Sequence, residues 1–134
     1  MVLITGACSY GRVYFNVTEG VMVFSYGFEE VSGHFRQHNF GRGGTEGDAV
    51  IANVQDGFGF NNADFMIPPD GQYGRCRMYL WDTANPYSDG DLEAGTVIHE
   101  LSNSLNICLT GGPANSGCLG WGESSGTGEG WGDE

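Results

Sequence analysis

Apolar and polar positions follow two different rhythms along this chain. In the first two thirds the apolar residues come in short β-branched and aromatic blocks, at 13–15, 21–26 and 49–55, and in an alternating run at 75–81. Both patterns predict strands. Between them stand turn-forming clusters: Gly41-Arg42-Gly43-Gly44, Asn61-Asn62 and Pro68-Pro69-Asp70-Gly71. The period then changes. Leu92, Ala94, Val97, Ile98, Leu101 and Leu105 recur at three- and four-residue steps and predict one apolar face of a helix, with Asp89 or Asp91 as its cap. A Gly- and Pro-rich loop is expected over 109–122, and a second helix beginning near Ser124 or Ser125. The fold class is therefore α+β, with a β-rich N-terminal part followed by one long helix and the start of another.

Composition narrows the class of function. With 17 acidic against 5 basic residues the net charge is −12, too little positive charge to neutralise nucleic-acid phosphates or to hold an anionic membrane surface. The 40% apolar content is that of a folded protein, enough for one modest core, so residues 1–134 are read as a single domain. No apolar run reaches the length of a membrane span. The first residues are apolar but lack a basic region, and Cys8, Gly11 and Arg12 interrupt them, so no signal peptide is read in this chain. Cys8, Cys76, Cys108 and Cys118 are compatible with a disulfide between 108 and 118 or with buried thiols. Asn16-Val17-Thr18 is a glycosylation triplet, usable only in a secreted chain.

The candidate chemistry sits on the predicted helices. His99-Glu100 opens the zinc-peptidase pattern His-Glu-x-x-His, in which two His one turn apart bind zinc and the Glu takes a proton from a water the metal activates. Glu129 is the candidate third ligand. Asp133, four residues later and on the same helical face, is placed to hold the second ring nitrogen of His99. The position of the second His is occupied by Asn103, whose amide oxygen is a weak neutral ligand. A rival pair, His34 and His38, has helical spacing but loop-like neighbours and is read as surface or partly buried. Tyr79, Trp81, Tyr87 and Trp121 could line a sugar or peptide groove, but core and loop packing is the expected role.

Seven segments carry a resemblance to one family. GHFRQHNFGRGG (33–44), DAVIANVQD (48–56), NNADFMIPPDGQYGRCRMY (61–79), Trp81-Asp82-Thr83, DGDLEAGTVIHE (89–100), LTGGPANSGCL (109–119) and ESSGTGEGWGD (123–133) closely resemble the fungalysins, secreted zinc metalloendopeptidases of fungi and some bacteria. The likeness runs from about residue 24 to the end, and residues 1–23 match poorly. From His99 to Pro113 the family reads approximately HEYTHGLSNRLTGGP where this chain reads HELSNSLNICLTGGP, so the second ligand position falls on Asn103 without a gap. The family's usual ESGGMGEGWSD becomes ESSGTGEGWGD, keeping Glu129 and Asp133 while losing a Met and a Ser. A His-Asp pair usual before Tyr26 is replaced by Gly20-Val21, and the family would make 21–30 helical where the residues read as a strand.

The resemblance implies a partial metallopeptidase domain with an extracellular location and a polypeptide substrate. Zinc would be held by His99 and Glu129 with Asn103 in the second ligand position, Glu100 would be the proton acceptor, and Asp133 would orient His99. The alternative is a catalytically inactive descendant that serves as a binding or interaction module. A β-rich carbohydrate-binding module is a third reading, which requires an exposed aromatic platform and no meeting of His99 with Glu129.

Overall fold

The computed structural model describes residues 3–4, 27–112 and 114–133. The strands expected at 13–15 and 21–26, Cys8 and the Asn16 triplet lie outside the described residues. The centre of the fold is a four-stranded sheet of order β1-β2-β4-β3. Its strands are β1 (Leu3–Ile4), β2 (Ile51–Asn53), β3 (Ala63–Met66) and β4 (Arg75–Met78). β2 runs parallel to β1 and β4, while β3 is antiparallel to β4, with Asp64 opposite Arg77 and Phe65 opposite Cys76. β5 (Leu80–Trp81) and β6 (Ser88–Asp89) form a separate two-stranded ribbon.

The alternating run at 75–81 is thus two strands. The chain breaks at Tyr79, whose backbone bonds Asn62 on one side and Gly90 on the other. β3 had no sequence signal of its own, because Asp64 interrupts its apolar pattern. Asp64 is there to form a two-pronged ion pair with Arg77 across the sheet, at 2.6 and 2.7 Å, and to accept the Tyr79 hydroxyl at 2.7 Å. The Phe58 ring closes over that guanidinium at 4.0 Å.

Helix α1 (Ala94–Gly111) lies on this sheet, and α2 (Gly122–Gly132) packs on α1. The core is Val50, Ala63, Cys76 and Met78, with Phe35, Phe65 and Val97 against it. Only Val97 of the expected apolar face belongs to that core. Leu92 and Ile98 are 77% and 44% exposed, and the buried ridge of α1 is Glu100, Ser104 and Cys108. The helix is turned by about one residue from the expected orientation. The polar ridge is tolerated because Ser104 Oγ donates to Leu101 O at 2.6 Å within its own helix. The cap is Glu93, four residues beyond Asp89 and two beyond Asp91: its carboxylate accepts from Thr96 N at 2.6 Å and from the Thr96 hydroxyl at 2.8 Å.

Candidate metal centre

α1 and α2 approach closely because α2 turns glycines toward α1. Gly128 and Gly132, one turn apart, are its buried residues. A Cβ at Gly132 would stand 2.7 Å from Asn103 Oδ1 and 3.0 Å from His99 Nδ1, and one at Gly128 would touch Leu119 at 3.3 Å. Asn106 Nδ2 also donates to Gly128 O at 3.4 Å. This contact without side chains brings the residues flanking the two glycines, Glu129 and Asp133, onto His99.

The result is a polar cluster at the surface, in which the Glu129 and Asp133 side chains stay largely exposed. His99 Nδ1 meets Asp133 Oδ1 at 2.8 Å, and His99 Nε2 meets Glu129 Oε2 at 2.9 Å. Asn103 Nδ2 lies 3.0 Å from both His99 Nε2 and Glu129 Oε2. Four of the five residues expected to make the site therefore meet directly, while Glu100, next to His99, lies on the buried inner side of α1. With the Nδ1 proton donated to Asp133, Nε2 presents a lone pair to the Glu129 carboxylate. Two acceptors 2.9 Å apart require a proton or a cation between them. Burial works against charging His99, yet the Asp133 and Glu129 carboxylates outweigh it and raise its pKa. Glu100 is 8% exposed, and its pKa is raised by burial, with Glu129 and Asp64 adding to the shift and His99 opposing it.

The donor set fits zinc at two corners and resists it at the third. An imidazole nitrogen and a carboxylate are ordinary zinc ligands, and a tetrahedral ion would set such atoms about 3.3–3.4 Å apart, a spread of about 0.4 Å from their present spacing. Asn103 presents its NH2 group. Its oxygen is buried without a hydrogen-bond partner and faces the bare Gly132 backbone. Turning the amide would bring that oxygen into the triangle. Among the described residues no group of three or more His, Cys, Asp or Glu is gathered about one point. A cavity of about 40 Å³ opens beside Asn103 and Glu129, walled by Ile107, Leu119, Ser125 and Gly128, large enough for water.

The other candidates separate from this site. His34 and His38 lie in an irregular loop, the first against the Phe28 ring at 5.2 Å and the second exposed beside Phe40. Cys76, Cys108 and Cys118 are free thiols, and the Cys118 thiol donates to Ile107 O at 3.5 Å. Tyr79 is core, whereas Tyr87 and Trp121 are 63% and 88% exposed, contrary to the expected packing. Sequence reasoning noted the loss of a Ser at position 132 but not its consequence, that Gly132 sets how near α2 comes to Asn103.

A His-Glu helix docked on a Glu- and Asp-bearing helix, over a small mixed sheet, is an arrangement for which the known relatives supply the class: metallopeptidases. Residues 13–134 match the model of the Fungalysin metallopeptidase (M36) family, and the chain belongs to that family. It is 57% identical over 112 residues to "Extracellular metalloproteinase 2" of Trichophyton tonsurans, covering 84% of this chain and 18% of that protein. It is 53% identical over 123 residues to "Extracellular metalloproteinase 4" of Arthroderma otae, covering 92% and 18%. "Extracellular metalloproteinase mep" of Aspergillus flavus is 56% identical over 112 residues, covering 84% and 18%. The chain thus spans about a fifth of the length of these curated relatives.

Proposed function

We propose that this chain carries a low-affinity zinc centre of a secreted metalloendopeptidase, with polypeptide as its substrate class. The observation that carries this reading is the meeting of His99 Nε2, Glu129 Oε2 and the Asn103 amide within 3.0 Å of one another. His99 and Glu129 would hold the ion, and the Asn103 oxygen would be a weak third ligand. When bound, zinc supplies polarisation of a scissile carbonyl and acidification of a water. The rest is done by the chain. Asp133 fixes the His99 ring so that Nε2 points inward. Glu100, whose burial raises its proton affinity toward the working range of a general base, accepts the proton of the attacking water and delivers it to the departing amine. An extracellular location rests on the names of the relatives.

A second reading draws on a specific observation: the Asn103 amide already donates to Glu129 and lies against His99, so that a proton on the His99 ring, in place of a metal, can bridge it to Glu129. That arrangement suits an inactive descendant acting as a binding module. Cleavage of unstructured casein with excess zinc separates the two. The proposal expects slow, chelator-sensitive cleavage that disappears in Glu100→Gln. Absence of cleavage by both proteins at every zinc concentration would support the binding module.

A further inference from the structure

A second cluster of carboxylates, away from His99, has the features of an ion site. The turn Gly90–Leu92 joins β6 to α1 and holds Asp91 at 7% exposure. Both Asp91 carboxylate oxygens are buried without a hydrogen-bond partner, and so is Asp89 Oδ1. Gln55, from the turn after β2, donates its amide N–H to Asp89 Oδ2. Gly90 permits the tight packing: a Cβ there would meet Tyr79 O at 2.6 Å and the Trp81 indole nitrogen at 3.0 Å. Among the described residues no ion pair reaches either carboxylate, since Arg36 and Arg42 meet Glu30 and Arg77 meets Asp64. Burial, with the Asp89 carboxyl beside it, pushes Asp91 up to about 7. Two facing carboxylates with three unmatched oxygens need a shared proton or a cation.

We propose that Asp89 and Asp91 form a calcium site at the entrance to α1. The donors are all oxygens, which suits a hard cation and excludes a soft one. Asp89 Oδ1 and the two Asp91 oxygens would ligate the ion, and Gln55 would hold Asp89 in place. With two carboxylates the affinity falls in the weak extracellular range, a Kd of about 10⁻⁴–10⁻³ M. The site is independent of the zinc centre, which offers an imidazole nitrogen that calcium avoids.

Calorimetric titration of the full chain with calcium chloride, paired with thermal melts in calcium and in EDTA, tests the proposal. The expected result is one calcium per chain and a Tm raised by a few degrees in millimolar calcium. Asp91→Asn should lose that response and, with one of two facing charges gone, melt higher than the wild type in EDTA. Asp89→Asn provides the same test should Asp91→Asn fail to fold. A wild type whose Tm ignores calcium, or a calcium response retained in both variants, would overturn the site and leave the pair sharing a proton.

Discussion

Asn103 and Gly132 meet where α1 and α2 touch, and each limits what the other position can hold. The Asn103 oxygen occupies the space that a Cβ at position 132 would enter, 2.7 Å away. Gly132→Ala would gain at most about 1 kcal/mol of helix propensity, less at the last residue of α2. Overpacking against Asn103 and His99 costs about 1–3 kcal/mol. The net expectation is destabilisation by about 1 kcal/mol in denaturant melts, and a smaller effect of Gly132→Ala in the Asn103→Ala background, where only the His99 contact remains. Equal effects of Gly132→Ala in both backgrounds would show that the two positions do not interact. Asn103→His, by contrast, restores a third strong ligand and should raise zinc affinity by about 100-fold or more, read by competition with a chromogenic chelator. Unchanged affinity would mean that the two helices cannot close around the ion.

At the scale of elements, α1 is fixed at its start by one side chain. Glu93 satisfies an otherwise unpaired N–H and the Thr96 hydroxyl, so Glu93→Ala should cost about 1 kcal/mol in thermal melts. A cost near zero would place the true cap elsewhere. The existence of α1 and of the strands around 51–53 and 75–78 was legible in the apolar rhythm, whereas α2, expected near Ser124 or Ser125, has a Gly-rich sequence that carries no such rhythm. The facing of α1 was not legible. Periodicity assumes an apolar buried ridge, whereas this helix buries Glu100 and Ser104 and leaves Ile98 at the surface. β3 escaped notice for a related reason: Asp64 reads as a loop residue until Arg77 is known to stand opposite. The meeting of residues 99, 103, 129 and 133 was legible because their helical spacing is written in the sequence. What brings the helices together was not, since glycines leave no hydrophobic signal.

For the molecule as a whole, the −12 net charge is concentrated in part into facing carboxylates inside the fold. Asp48 is 1% exposed, accepts Arg36 N at 2.8 Å, and stands beside Asp70; burial and then that neighbour push it up to about 6. A folded-state pKa above the unfolded value near 3.8 means the protein takes up a proton here on folding. The contribution to stability is full below about pH 4 and is lost as the pH rises through about 6. Asp70→Asn should therefore flatten the fall in Tm between those values and stabilise the neutral-pH protein by on the order of 1 kcal/mol. Parallel Tm–pH curves for variant and wild type would contradict this.

The central claim concerns the metal. Equilibrium dialysis of the purified chain against zinc near neutral pH, with metal analysis, tests it most directly. The account predicts one zinc per chain, bound weakly and lost in Glu129→Ala. Zinc retained undiminished by Glu129→Ala, or none taken up even at saturating concentrations, would contradict it.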